Sequence, residues 1–221
     1  MFIGHFAMAF GAKALLKNKA PALSLGTAFL AAQFVDLLWP TLLLAGVERV
    51  EINPGDTAFT PLNFVFYPIS HSLVSVVFWS SIFAMAYVMI RRNVAAAVTV
   101  GFLVLSHWLL DLVTHRPDLP LVPGGRVFVG LGLWNSVAWT LLIEFALYAL
   151  GVWLYTRATV AKNRTGTWAL WALVAFLAVV HIGNAFGPPP PSVQAIAFAG
   201  HSMWLIVLWG YWIDRNRAVR T

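Results

Sequence analysis

The sequence predicts an all-α protein, a polytopic bundle of transmembrane helices. Long apolar runs recur along the whole chain, 60% of the 221 residues are hydrophobic, and only 10% are charged. The mean hydropathy is +0.79. An ordinary soluble domain carries about 25% charged residues, and a water-exposed surface needs that polar cover. Eleven Trp and 16 Phe suit spans with aromatic anchors at the membrane interfaces.

A span needs about 20 apolar residues. The first run, residues 2–16, is short; it either crosses with a tilt or enters only part way. Six further runs are long enough, at residues 21–46, 62–90, 94–114, 128–156, 168–187 and 193–213. That predicts six spans plus a short N-terminal helix, about seven in all. Turn chemistry separates them: Asn53-Pro54-Gly55, then Pro117, Pro120 and Pro123-Gly124-Gly125, then Gly187 and the stiff Pro188 to Pro191 link. No internal repeat is visible, and residues 1–221 read as one transmembrane domain.

Orientation follows from Lys and Arg. Lys13, Lys17, Lys19, Arg91, Arg92, Arg157, Lys162, Arg164, Arg215, Arg217 and Arg220 fall on alternate breaks. The other breaks hold Glu48, Glu51, Asp56 and Asp118 against Arg49, Arg116 and Arg126. The positive-inside rule makes the first set cytoplasmic, with the C-terminus inside a bacterial cytoplasmic membrane. The same scattering of basic residues over short breaks argues against a nucleic-acid partner despite the net charge of +6. Met1–Leu16 has no basic leading segment and carries His5, so it reads as part of the mature protein. Absence of cysteine excludes disulfides, thiol catalysis and Cys-type zinc sites. Nucleotide loops, Gly-x-Ser-x-Gly and His-Glu-x-x-His are also missing.

Ionisable groups inside a membrane are costly and point to function. Asp36, Asp111 and Glu144 lie within apolar runs, as do His5, His71, His107, His181 and His201, with His115 at a helix end. At about 1.5 Å per residue, Asp36, His71 and His107 each fall roughly 12–15 Å below the outer ends of their helices. All six histidines favour the outer half. His107 and Asp111 are four apart and share a helix face, as do Gln33 and Asp36, three apart. Ser70-His71-Ser72 after Pro68 predicts a bent helix start, and Pro40 predicts a kink just past Asp36. Imidazole with carboxylate suits zinc, iron or manganese. Convergence of Asp36, His71, His107 and Asp111, with His5 close by, is therefore expected. His181 and His201 are expected to be helix–helix hydrogen-bonding or interfacial residues, and Glu144 to be protonated or hydrogen-bonded with no Lys or Arg at its depth.

Gly4-His5-Phe6, Asp36, Ser70-His71-Ser72 and the segment from His107 through Asp111 to Thr114 resemble, in order and spacing, the YdjM-like family of bacterial inner-membrane proteins, described as membrane-bound metal-dependent hydrolases. The resemblance covers about the first 125 residues; residues 126–221 add further helices. Gln33 and Phe34 stand where the family has Pro and Asp, and Phe66-Tyr67 where it often has His-Arg. The resemblance therefore implies one metal rather than two, or lost catalysis.

The resulting expectation is a membrane-embedded metal-dependent hydrolase. It would act on a lipid or lipid-linked ester or phosphoester at the outer leaflet. Zinc or another divalent metal would be held by His71, His107 and Asp36 with His5 as fourth ligand. Asp111 would ligate or orient His107, and His107 and Asp111 form the catalytic pair. The alternative is a non-catalytic membrane protein: a transporter, an ion- or proton-handling protein, or an accessory subunit of an oligomer or larger membrane complex.

Overall fold

The computed structural model describes residues 1–16 and 23–220. Lys17, Lys19 and the first two residues of the second apolar run lie outside the described residues. The chain is an all-α, multi-pass helix bundle. Five helices are long and apolar enough to cross a membrane: α5 (Leu73–Arg91), α6 (Val94–Thr114), α7 (Val137–Ala158), α8 (Arg164–Phe186) and α9 (Val193–Arg215). A sixth passage is a broken pair, α2 (Leu25–Ala32) and α3 (Phe34–Leu44), bent by 53°. The helix starts follow the sequence: the side chains of Ser24, Ser72, Asn93, Ser136, Asn163 and Ser192 each accept the backbone N–H three residues on.

Helix α1 (Ile3–Leu15) has 13 residues, about 20 Å, less than the roughly 30 Å hydrocarbon core. It is buried on every face from Ile3 to Phe6 and again from Ala9 to Lys13, so the bundle surrounds it rather than lipid. It runs mainly along α7, where a Cβ on Gly151 would meet the Ala7 backbone; only glycine permits that approach. A second close crossing pairs Gly210 of α9 with Gly26 of α2.

Two apolar runs begin differently from expectation. Residues 62–66 form a strand, β2 (Leu62–Phe66), paired antiparallel with β1 (Arg49–Ile52). Pro68 disfavours helix at Tyr67 and opens a short helix of its own, α4 (Pro68–His71), so the span proper starts only at Leu73. Residues 128–136 hold a two-residue strand, β4 (Phe128–Val129), paired with β3 (Leu119–Pro120), then a tight turn at Gly132 with φ 74°. Helix α7 begins after them. These two hairpins cap one end of the bundle. The opposite end carries β5 (Thr159–Ala161) paired with β6 (Arg217–Val219).

Helix α3 carries Pro40 inside it without ending there, and the 53° bend of the passage falls at Gln33, which the sequence reading did not mark as a break.

Candidate metal centre

The break at Gln33 ends α2 at Ala32, leaving carbonyls there without their helical partners. The Ala32 oxygen is taken by Nδ1 of His107 on α6, at 2.8 Å. The break also places Asp36 in the first turn of α3, where the helix dipole favours a carboxylate.

On the hairpin side, α4 ends at His71 because Ser72 is extended (φ −70°, ψ 145°). Ser70 Oγ lies 2.6 Å from His71 Nδ1 and donates to Glu48 Oε2 at 2.5 Å. Glu48 is buried, and its other oxygen accepts the Ile69 and Ser70 backbone N–H groups at 2.7 and 2.9 Å. With Ser70 donating to Glu48, His71 Nδ1 carries the proton. Both His71 and His107 therefore turn Nε2 toward the same point, each oriented by an acceptor on Nδ1 as metal-binding histidines usually are.

At that point lie Asp36 and Asp111. His71 Nε2 is 3.4 Å and His107 Nε2 3.5 Å from Asp36 Oδ1. His107 Nε2 is 3.2 Å and His71 Nε2 4.0 Å from Asp111 Oδ2. Ligands about 2.0–2.1 Å from a tetrahedral zinc stand about 3.3–3.4 Å apart, so three of these four separations match such an edge closely. His5 stands on the other side of Asp111, its Nε2 3.2 Å from Oδ1. His5, His107 and Asp111 form one group whose ligating atoms all lie within 4.8 Å of one another; Asp36, His71 and His107 form a second. All five expected residues thus come together. The expected arrangement, with His5 as fourth ligand and Asp111 uncommitted, is refined: Asp111 Oδ2 faces the His71–His107–Asp36 set, and His5 touches that set through Asp111 and by stacking on His107. His5 Nδ1 is buried without a hydrogen-bond partner among the described residues, and His5 Nε2 and His107 Nε2 face only carboxylate oxygens, in contacts that lack hydrogen-bond geometry. Such atoms are costly to leave unpaired, and two imidazoles with two carboxylates are a donor set that zinc satisfies.

The Met1 amino nitrogen lies 2.5 Å from Asp111 Oδ1 and 3.2 Å from Thr114 Oγ1. Glu144 is fully buried, and its Oε2 accepts the Phe2 and Gly4 backbone N–H groups at 2.8 and 3.2 Å. It is hydrogen-bonded as expected, and no Lys or Arg side chain pairs with it among the described residues.

The remaining histidines stand apart from the cluster. His201 bonds Thr41 Oγ1 across α9 and α3 at 3.1 Å, as expected of a helix–helix contact. His181 corrects its expectation: it is buried among Phe2, Phe59 and Phe145 and neither ring nitrogen has a partner among the described residues. His115 bonds Asp118 through Nδ1 at 2.9 Å. Tyr67 donates to the same carboxylate, and burial, then Asp118, hold its phenol well above the ordinary value, so it stays a donor. Arg116 ties this cap to Asp56 and Asn63.

Asp36, with a quarter of its side chain exposed, Asp111 and His71 open into a cavity of about 780 Å³ beneath the β1–β2 hairpin. Its wall is largely apolar, with Trp39, Phe59, Trp134 and Phe176 among the lining residues.

Sequence reading missed Glu48, which looks like any acid in a hydrophilic break, and the Ala32 carbonyl, which carries no side-chain signal. No protein-family model, curated protein or solved structure matches the chain.

Proposed function

We propose that this chain is a membrane-embedded, metal-dependent hydrolase that cleaves a lipid or lipid-linked ester or phosphoester at the outer leaflet. The observation that carries this reading is the quartet Asp36, His71, His107 and Asp111. Three of their four imidazole–carboxylate separations suit neighbouring ligands, His71 and Asp111 standing further apart at 4.0 Å, and both imidazoles are oriented from behind. Zinc suits that donor set, and when bound it lowers the pKa of water toward 7 and polarises an ester oxygen. The protein's own part is to hold the imidazoles by Ser70 and Ala32, to screen the site under the hairpins, and to admit substrate past Asp36.

Orientation belongs to the same proposal. Arg91, Arg92, Arg157, Lys162, Arg164, Arg215, Arg217 and Arg220 gather at the end opposite the hairpins. By the positive-inside rule that end and the C-terminus are cytoplasmic in a bacterial inner membrane, and the cavity faces outward. The resemblance to the YdjM-like family supports the reading through the same residues.

Elemental analysis of purified protein tests it. About one equivalent of zinc in the wild type and loss of it in His107→Ala is the expected result; a wild type that takes up no divalent metal ends the hydrolase reading.

A further inference from the structure

The six histidines sort by what their ring nitrogens do. His71 and His107 each fix Nδ1 and turn Nε2 to the quartet. His5 lies against Asp111, and His181 is sealed among aromatic rings. His201 spends one nitrogen on Thr41 Oγ1 and the other on the Ala197 carbonyl. His115 differs from all five. Its Nδ1 is 2.9 Å from Asp118 Oδ1, whereas its Nε2 has no partner among the described residues and is not sealed off. The residue lines the cavity that Asp36, His71 and Asp111 share.

Position is the second observation. His115 follows Asp111 by four residues and its backbone N–H still bonds the Asp111 carbonyl at 2.8 Å, so it continues the Asp111 face one turn nearer the hairpin cap. One turn is about 5.4 Å, a gap that a water at the quartet and a reacting group can fill. Tyr67 packs against both sets, its ring centroid 5.1 Å from His71 and 6.1 Å from His115. The His115 ring is held by Trp134 and Phe64, with centroids at 4.4 and 4.8 Å, and Asp118 is itself fixed by the Tyr67 hydroxyl and Arg116 Nε. An imidazole with a carboxylate behind Nδ1 and an open Nε2 is built to transfer protons: the carboxylate selects the tautomer and steadies the charge while Nε2 holds the proton.

Resting on the hydrolase reading above, we infer that His115 is a catalytic residue of the same site, carrying a proton from the attacking water to the leaving oxygen, with Asp118 as its positioning residue. Water at the quartet adds to the acyl carbon or the phosphorus and gives one proton to His115 Nε2. The bond to the alkoxy oxygen breaks, and His115 returns that proton to the oxygen, which departs as an alcohol. The other water hydrogen stays with the acid. Because His115 stands on the cap side of Asp111, the leaving group lies toward the hairpins.

The test uses the full chain, zinc-loaded, in nanodiscs of ether-linked phosphatidylcholine, with two pairs of probes. One pair is p-nitrophenyl octanoate and ethyl octanoate; the other is p-nitrophenyl octyl phosphate and ethyl octyl phosphate. Water made acidic at the quartet can lose its proton to solvent without help, and p-nitrophenolate leaves without a proton, whereas ethoxide needs one. His115→Gln should therefore slow an ethyl probe about a hundredfold or more and leave its p-nitrophenyl partner within about threefold, with zinc content unchanged. Asp118→Asn, which leaves His115 and its packing in place, should split the pair in the same direction. Independently of turnover, diethyl pyrocarbonate, which acylates a reachable unprotonated imidazole nitrogen, should modify His115 in the zinc-loaded chain. Equal slowing of both members of a pair, or of neither, overturns the role of His115 and leaves a hydrolase. Loss of zinc from folded His115→Gln overturns it too, as does a His115 that the reagent leaves unmodified. Absence of zinc from the wild type, or of cleavage of all four probes, ends the hydrolase reading and this inference together.

Discussion

His5 and His107 lie face to face, ring centroids 3.6 Å apart and planes 7° from parallel. The stack packs a ring of α1 flat against one of α6 and brings both Nε2 atoms to the two oxygens of Asp111. His5 is thus one step further from Asp36 and His71 than His107 is. His5→Ala should weaken zinc binding about 10–100-fold, the usual cost of losing a supporting residue, whereas His107→Ala should abolish it. Competition with a chelating dye measures both. Equal loss in the two variants would make His5 a ligand of the same rank.

Ser70 is expected to act through His71. Ser70→Ala removes the link between Glu48 and His71 Nδ1 while leaving Glu48 its two backbone N–H bonds. Zinc affinity should fall about tenfold, with little change in unfolding temperature in detergent. Glu48→Ala should instead destabilise the cap by about 2–4 kcal/mol, because a buried N–H at Ser70 loses its acceptor at about 1–3 kcal/mol and a half-buried one at Ile69 at about 1 kcal/mol. A Ser70→Ala variant with wild-type affinity would show that the hydrogen bond to His71 does not tune the site.

Glu144 separates acceptor from charge. Glu144→Gln keeps an oxygen for the Phe2 and Gly4 N–H groups and should fold normally. Glu144→Leu orphans both donors at the start of α1 and should cost about 2–4 kcal/mol, read as a lower unfolding midpoint. Similar stability in the two variants would mean that α1 does not depend on this contact.

The five unbroken spans were legible because a passage through lipid needs a long apolar segment whose backbone is satisfied internally. His107 and Asp111 were legible because four residues on one helix fix a shared face. The break at Gln33 was not, because where a passage breaks depends on which carbonyls find other partners, and here His107 takes Ala32 across the bundle. Residues 62–66 were absorbed into the following apolar run because a short apolar strand and a buried helix segment read alike without partners. Glu48 lay in a hydrophilic break, and only the fold places it behind Ser70.

Asp214 anchors the end of the bundle away from the site. It accepts Lys13 Nζ at 3.0 Å, the Leu25 N–H at 2.6 Å and the Tyr155 hydroxyl at 3.1 Å. Asp214→Ala leaves the largely buried Lys13 ammonium with only the Leu23 carbonyl, to which it donates at 2.7 Å, and should cost about 3 kcal/mol. The folded fraction should keep its zinc, because none of these groups touches the cluster. Loss of zinc from folded Asp214→Ala would mean that this end is coupled to the site through α1.

Orientation is tested by cysteine labelling, for which the chain's lack of native cysteine is convenient. Asp56 is a poor position because its side chain is 6% exposed and paired with Arg116. Arg126, exposed in the β3–β4 turn, and Asn163, exposed at the start of α8, are better. The two lie at opposite ends of α7, so one membrane-impermeant reagent should reach only one of them in intact cells. Arg126→Cys is expected to label from outside and Asn163→Cys only after the membrane is opened, since the basic residues cluster at the Asn163 end. Asn163 is also an N-cap, so its variant should lose about 1 kcal/mol at the start of α8, too little to invert a span. Labelling of Asn163→Cys alone in intact cells would turn the cavity toward the cytoplasm, and the lipid substrate would then have to come from the inner leaflet.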